Sequence, residues 1–390
     1  MKRLHIINLD CLAGTEQMFI QFINNKFDNS NEDKIININA GLSHQLTEFI
    51  PLNKVNFPYR IVQCMKFRYP PFMRKKLLRK LIEKEKADLI IAWNLIPGLD
   101  KKPSCGKIIY YDHGNSWSFN QNSKTLKFFS MVDGCISASY ASQRMLQLKL
   151  KLQCPIITIK NNIPTPNKLK KPKEQLNNTI TLGTASRLEP IKAVGVSILT
   201  TKELNRRGIN TKLYIAGNGS QEQKLKSLVE KLNLKDKVIF LGFQSDLSNF
   251  YRDIDFYISS PVIEAFGLSC IEALYNGIPV IFPMIDGQPE VVITNHTGLG
   301  YIPKMSFDEY HALTNMDIIY EQQVYDPIND KLTEPKIASY IDYADGIENI
   351  INNNRYNEYS TNARIYTQEK CSFTSFNKEL NEAINNFHKI

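Results

Sequence analysis

The sequence lacks any apolar run long enough to span a bilayer. Its first ten residues, Met1 to Asp10, hold too short an apolar run for a signal peptide and read as a first β-strand. Cysteine is sparse: seven residues, at 11, 64, 105, 135, 154, 270 and 371, odd in number and without metal-ligand spacing. Free thiols in a reducing cytoplasm are the expectation. Acidic residues are the scarcer sign, 39 against 48 basic ones, and the net charge of +9 calls for an anionic partner without naming it. No recognised nucleic-acid-binding motif accompanies that charge, so nucleic acid is not an expected partner. What remains is a 390-residue chain of ordinary globular composition, long enough for two or three domains with cores of their own.

The basic residues are unevenly spread. Lys66, Arg68, Arg74, Lys75, Lys76, Arg79, Lys80, Lys84 and Lys86 share one segment with Phe72, Met73, Leu77, Leu78, Leu81 and Ile82. As a helix this segment is amphipathic, with a cationic face suited to anionic lipid headgroups. A solvated face on an ordinary surface helix accounts for it equally well.

Short apolar runs alternate with longer amphipathic ones, the pattern of βα units around a parallel sheet. In the first half strands are expected at 4–8, 34–38, 88–93, 107–112, 133–137 and 155–160, with helices including 15–25 and 140–150. Residues 162–174 are rich in proline and lysine and read as a linker. The pattern then restarts, with strands at 179–183, 212–216, 238–241, 255–259 and 279–282 and helices at 194–207, 220–232 and 268–275. Two consecutive doubly wound domains, 1–165 and 166–372, follow, with ligands expected at the carboxyl ends of strands and in a cleft between facing domains. Residues 303–335 are irregular and carry no assigned role. The last segment, 373–390, places Phe373, Phe376, Leu380, Ile384 and Phe387 at helical spacing.

Several strand ends carry chemistry. Glu272 lies in the otherwise apolar helix Leu268-Ser-Cys-Ile-Glu-Ala-Leu-Tyr275, where a carboxylate is costly unless its charge is answered. Glu264 sits in the preceding loop, and Gly267 lets a ligand approach the helix N-terminus. A capping Glu264 and a Glu272 paired internally with Arg or Lys account for the spacing equally well. Gly183-Thr-Ala-Ser-Arg-Leu-Glu-Pro-Ile-Lys192 holds Arg187 and Lys192 where a diphosphate could be gripped. Gly217 belongs to a glycine turn after another strand, and Asp286-Gly-Gln-Pro-Glu290 offers amides and a carboxylate after a further one. In the first half, Leu12-Ala-Gly-Thr-Glu16 carries Gly14 but no dinucleotide fingerprint. His113 follows a strand in Tyr110-Tyr-Asp-His-Gly-Asn115, placed for a ligand hydroxyl, for proton transfer or for a structural role. Asp253 and Asp255 have a metal-ligand spacing but stand at a helix–strand boundary and read as structural.

In order along the chain, Ser186-Arg-Leu-Glu-Pro-Ile-Lys192, Leu213-Tyr-Ile-Ala-Gly-Asn-Gly219, Val238-Ile-Phe-Leu-Gly-Phe243, Glu264 through Glu272 and Asn276-Gly-Ile-Pro-Val280 resemble the retaining GT-B glycosyltransferases of family 4. The resemblance implies an α/β fold of two Rossmann-like domains, 1–165 binding acceptor and 166–372 binding nucleotide sugar, with 373–390 returning to the first. Arg187 and Lys192 would hold the donor diphosphate, Glu272 the ribose, and Glu264 the donor sugar beside its reacting carbon. Phe266, Gly267, Leu268, Gly217 and Glu290 would complete the donor site, His113 would line the reaction centre, and Gly14, Thr15 and Glu16 would border phosphate and acceptor. No metal or other cofactor is implied. The partners would be a nucleotide sugar and a glycan or lipid-linked glycan in lipopolysaccharide, capsule or other surface-polysaccharide synthesis. The protein would then work in the cytoplasm or on the inner face of the membrane. Rival readings are another GT-B enzyme, such as a nucleotide-sugar epimerase, and a non-catalytic glycan- or lipid-binding relative. Three positions depart from the family pattern. Ala13-Gly14-Thr15 replaces paired glycines, Ala193 stands where glycine is common, and Asp286-Gly287-Gln288 lacks a paired glycine.

Overall fold

The structure, a computed structural model, describes residues 1–10, 14–24, 32–39, 41–43, 46, 49–50, 55–61, 68–165 and 176–389. Cys11, Leu12, Ala13, Asn25, Cys64, Lys66 and positions 166–174 of the expected linker lie outside the described residues. The chain divides into two units, one formed by Met1–Asn161 with Thr374–Ile390, the other by Asn162–Phe373. No helix among the described residues is long and apolar enough to cross a membrane.

The first unit is a parallel sheet of seven strands. These are β1 (Lys2–Ile7), β2 (Glu32–Asn37), β3 (Val55–Asn56), β4 (Leu89–Trp93), β5 (Lys107–Asp112), β6 (Gly134–Ser137) and β7 (Ile156–Thr158), in the order 3-2-1-4-5-6-7. Six match the expected runs to within a few residues; β3 is only two residues long, too short to show a period. Every residue of β4 is buried, as a strand covered on both faces requires. Helices α1 (Gly14–Asn24), α2 (Pro71–Glu85), α3 (Ser123–Phe129) and α4 (Tyr140–Leu148) connect the strands. Proline opens α2 at a position where its missing N–H costs nothing, and Ser139 caps α4 by accepting from the Ser142 amide at 2.9 Å. Leu78 and Ile82 are the buried residues of α2. Phe72 and Met73, expected on its apolar face, are instead exposed (82% and 39%), because they precede the turn that meets the sheet.

A chain of buried polar groups runs through this unit. Arg3 grips Asp33 with two parallel hydrogen bonds, Nε to Oδ1 at 2.6 Å and Nη2 to Oδ2 at 3.0 Å. The Trp93 indole donates to His5 Nδ1 at 3.1 Å, so the proton of a neutral His5 sits on Nε2, facing Asp33 at 3.0 Å. Arg3 also donates to Asn381 Oδ1 at 3.0 Å, on the terminal helix (Phe373–Lys389). That helix buries Phe376, Leu380, Ile384 and Phe387 against the first unit, and Phe387 lies over Gly134, where a Cβ would have no room. Burial by itself raises the Asp33 pKa, but the hydrogen bonds from His5 and Arg3 outweigh it and hold the carboxyl far below its ordinary 3.8.

The second unit is a six-stranded parallel sheet. Its strands are β8 (Ile180–Ala185), β9 (Thr211–Ala216), β10 (Val238–Gly242), β11 (Phe256–Ile258), β12 (Val280–Pro283) and β13 (Gly298–Tyr301), ordered 10-9-8-11-12-13. Crossovers α5 (Gly195–Arg206), α6 (Glu222–Lys231), α7 (Ser248–Asp253) and α8 (Leu268–Tyr275) cover its faces. The irregular stretch holds α9 (Phe307–Thr314), opened by a Ser306–Glu309 capping box, and an antiparallel hairpin of β14 (Val324–Asp326) and β15 (Lys331–Thr333). Helices α10 (Tyr340–Asn352) and α11 (Tyr356–Lys370) close the unit against α5 and α8. From β8 the chain turns toward β9, and from β11 toward β12, so the loops after these adjacent strands diverge and leave a crevice at their carboxyl ends.

Asp33→Asn is expected to destabilise the first unit by about 3–5 kcal/mol, because it leaves Arg3 buried without its anion. Both tryptophans, Trp93 and Trp117, lie in this unit, so tryptophan fluorescence during denaturation reads it. The folded pKa is the lower one, so the wild-type advantage is full above pH 3.8 and lost below it. The gap to the variant should therefore narrow by about 1.4 kcal/mol per pH unit on acidification.

Candidate active site

The crevice of the second unit is built by three loops. After β8, Pro190–Lys192 makes a 3-10 turn that ends at Ala193 in the left-handed conformation (φ 45°). After β11, the Ser260 hydroxyl donates to the carbonyls of Lys192 and Ala193, each at 3.1 Å, and the Val262 amide donates to Ile191 O at 2.8 Å. These bonds stitch the first loop to the second and bring Lys192 Nζ to Glu264 Oε2 at 2.7 Å. After β12, Asp286 Oδ2 accepts from the Glu264 amide at 3.0 Å and Gly287 N donates to Glu264 O at 3.1 Å, which locks the third loop to the second. Two groups separated by 72 residues in sequence thus meet as an oriented cation–carboxylate pair, each with about a fifth of its side chain exposed.

Helix α8 begins beside this pair. Gly267 precedes it at φ 104°, a conformation that side-chain-bearing residues avoid. The first amides of a helix have no partner within it; here Cys270 N turns back to Gly267 O at 3.0 Å, while Leu268 and Ser269 head the helix. Their N–H groups and the helix dipole make this end receptive to an anion. Phe266 is buried beneath the turn. Glu272 lies one helical turn beyond Leu268 and accepts a 2.6 Å hydrogen bond from the Tyr251 hydroxyl. Burial raises its carboxyl above the ordinary glutamate value, and the tyrosine draws it part of the way back. Burial also pushes the Cys270 thiol up to about 12, so it is no nucleophile at neutral pH. Arg187 is exposed, and among the described residues its guanidinium has no hydrogen bond or ion pair.

Gly217 stands between strands: its amide donates to Gly242 O at 2.8 Å, and a Cβ there would collide with the Ser186 carbonyl. Its glycine is explained by backbone approach at the end of β9. Glu290 ends a 3-10 turn in the third loop, and its carbonyl accepts from Tyr366 at 3.4 Å. Asp255, from the metal-spaced pair, is fully buried and accepts from the Thr181 amide at 2.8 Å, while Asp253 pairs with Arg252 at 3.0 Å.

In the first unit Gly14 opens α1, which puts Thr15 and Glu16 in the helix's first turn. Asn94, which the sequence reading did not single out, joins two candidate residues. Its side chain donates to Thr15 Oγ1 at 3.2 Å and accepts from the amides of His113 and Asn115 at 2.9 and 3.1 Å. The His113 ring stacks on Trp93 (interplanar angle 15°), and its Nδ1 lies 3.3 Å from Asn161 Nδ2. Burial pushes this imidazole down to about 3, so it is neutral at physiological pH. A neutral ring suits hydrogen bonding to a hydroxyl; service as an acid near pH 7 does not fit it.

Residues 166–315 match the family model described as "Glycosyl transferases group 1". An uncharacterized glycosyltransferase of Methanocaldococcus jannaschii is 34% identical over 24% of this chain and 25% of its own length. An uncharacterized glycosyltransferase of Haemophilus influenzae is 28% identical over 71% of this chain and 78% of its own length. Against several other curated relatives the match, like the first of these, spans only about a quarter to a third of the relative's length. Among solved structures, Anabaena HepE in complex with UDP and glucose superposes with a TM-score of 0.71 at 17% identity, covering 99% of both chains. The two Rossmann-like domains thus have the GT-B fold of glycosyltransferases.

Tyr251→Phe removes the hydroxyl that stabilises ionised Glu272. The expected result is a further upward move of the Glu272 titration midpoint, read from its carboxyl ¹³C shift; an unmoved midpoint would mean that the tyrosine does not donate.

Proposed function

We propose that this chain transfers a glycosyl group, with retention and without a metal, from a nucleoside-diphosphate sugar to a hydroxyl of a glycan or lipid-linked glycan. A role in surface-polysaccharide synthesis, such as lipopolysaccharide or capsule, suits that chemistry. The observation that carries the reading is the Lys192–Glu264 pair at 2.7 Å beside the open N-terminus of α8, inside the segment matched to glycosyl transferases group 1. Lys192, Arg187 and the Gly267 and Leu268 amides would hold the diphosphate. Glu272 would accept from the ribose hydroxyls, and Glu264 would stand at the donor sugar. The complex of HepE with UDP and glucose supports a donor of this class.

In the reaction the bond between the anomeric carbon and the phosphate oxygen breaks, and its electron pair leaves with the nucleoside diphosphate. The acceptor oxygen bonds to that carbon on the same face and passes its proton to the departing phosphate. Charge therefore grows on the phosphate, where fixed cations and amides lower the barrier without reorganising. Lys192→Ala is expected to reduce kcat by about 10²–10³-fold, the usual cost of losing one preorganised partner of a developing charge. The assay is NMR detection of product from a panel of nucleotide sugars, each with and without acceptor glycan. Acceptor-independent conversion of the sugar would favour an epimerase, and binding without any turnover a non-catalytic relative. Normal turnover in Lys192→Ala would remove the diphosphate assignment.

The acceptor side of the proposal rests on α2. Lys76, Lys80 and Lys84 follow one another at helical i+4 spacing behind the exposed Phe72, with Lys75 and Lys86 beside them. Among the described residues none of these lysines is ion-paired, whereas Arg79 on the same helix binds Glu83 and Asp100. Unpaired cations behind an exposed aromatic suit the anionic inner face of a membrane, each contributing about 1 kcal/mol. The triple variant Lys76→Glu, Lys80→Glu, Lys84→Glu should lose flotation with phosphatidylglycerol vesicles while keeping turnover of a soluble acceptor. Equal flotation of both proteins, or none by the wild type, would discard the membrane surface.

A further inference from the structure

Residues 306–336 have no part in the reaction as drawn, yet they are built with care. The excursion is pinched at its base by paired backbone bonds, Met305 N to Ile337 O at 3.0 Å and Ile337 N to Met305 O at 2.9 Å. Its hairpin is ordered by Asp326, whose Oδ1 accepts the amides of Ile328 and Asn329 at 2.9 and 3.1 Å. Tyr325, 2% exposed, faces the third loop of the crevice.

There it meets Asp286, which is 1% exposed and holds a left-handed φ of 47°. Asp286 N donates to Tyr325 O at 2.9 Å, and Tyr325 N donates to Asp286 Oδ1 at 2.8 Å. The other carboxylate oxygen accepts from the Glu264 amide at 3.0 Å, and Gly287 N donates to the Glu264 carbonyl at 3.1 Å. Glu264 is thereby fixed at both of its backbone polar groups by residues 286 and 287, and Asp286 is fixed at backbone and side chain by the hairpin. This loop lacks the paired glycine of the resembling family, and the left-handed φ of Asp286 is one that glycine adopts freely. A glycine would make the same turn but offer no acceptor to either amide.

We propose that Asp286 is a positioning residue for Glu264, and that the hairpin at 324–333 is the brace that holds Asp286 in place. The inference rests on the reading of Glu264 as the group at the donor sugar. A carboxylate displaced by about an ångström at a reacting centre can cost on the order of 10²-fold in rate. The ribose partner Glu272 and the diphosphate partners Arg187 and Lys192 stand on other elements; of the groups assigned to the nucleotide, only the Gly267 and Leu268 amides share the segment that carries Glu264.

Asp286→Gly is the direct test, because it keeps the turn and deletes only the carboxylate. Three results are expected: kcat lower by about 10–100-fold, UDP affinity by calorimetry within about twofold of wild type, and faster hydrogen exchange at the Glu264 amide. Replacing 324–333 by a short Gly-Ser link, with the Met305–Ile337 pinch intact, should give the same split and covers the case in which the point variant fails to fold. Wild-type kcat in either folded variant, an unchanged Glu264 exchange rate in Asp286→Gly, or an equal loss of UDP binding and rate would overturn the positioning role. A wild-type protein that neither binds nor turns over any nucleotide sugar would instead remove the functional reading itself, and the exchange experiment would still report whether the carboxylate holds the Glu264 amide.

Discussion

A carboxylate withdrawn from water must be answered by donors, and much of this molecule is arranged around four aspartates that meet that demand. Asp33 takes the Arg3 fork and faces His5. Asp112, fully buried at the end of β5, takes the Tyr110 hydroxyl at 2.8 Å, the amide and hydroxyl of Ser116 at 3.0 and 2.6 Å, and the Ser142 hydroxyl. Asp255 takes the Thr181 amide, and Asp286 the amides of Glu264 and Tyr325. Each joins segments that are distant in sequence or fixes the loop that follows a strand. An unanswered carboxylate at such sites would cost several kcal/mol, so each geometry is held by the penalty for leaving it. Asp112 and Asp286 stand at the carboxyl ends of strands, where ligands bind in doubly wound sheets, and Asp33 and Asp255 at the amino ends.

Such tethering has a local cost, and it is visible at two departures from the family pattern. Ala193, where glycine is common in the resembling family, and Asp286, in the loop that lacks its paired glycine, both adopt left-handed backbone, at φ 45° and 47°. A residue with a Cβ loses roughly 1–2 kcal/mol in that conformation. At Asp286 the loss is offset by two amides satisfied within the core. At Ala193 the methyl is 1% exposed and packs in the main cluster of the second unit, and its carbonyl accepts from Ser260. Asp286 exchanges backbone ease for a side-chain tether, and Ala193 for a buried methyl.

The sheets were legible because strands buried on both faces must be continuously apolar, and runs such as Leu89-Ile-Ile-Ala-Trp93 admit few other readings. β13 escaped notice because two of its four residues are glycine, and the hairpin because its strands are three residues long. Residues 72 and 73 were read onto the apolar face of α2 from spacing alone, which does not show where the helix first touches the sheet. At the site, charged residues at strand ends could be listed from sequence, but not joined. Lys192 and Glu264 are 72 residues apart, and Asp286 lies 22 from Glu264 and 39 from Tyr325. No periodicity links such positions; only the strand order 10-9-8-11-12-13 does.

The same topology separates two glutamates that spacing makes look like a pair. Eight positions apart, they resemble an acid and a base facing one substrate atom. Glu264, however, sits in a loop that hydrogen bonds from the neighbouring loops pin beside a lysine, whereas Glu272 lies inside α8, one turn past its head, under a tyrosine hydroxyl. The helix N-terminus lies between them. An anionic group at that N-terminus would stand between the two carboxylates, with room for one polar arm toward Glu264 and another along the helix. A sugar, a diphosphate and a ribose joined in that order have this shape. Under the proposed function, the arrangement suits an extended nucleotide sugar better than a compact substrate held between two carboxylates.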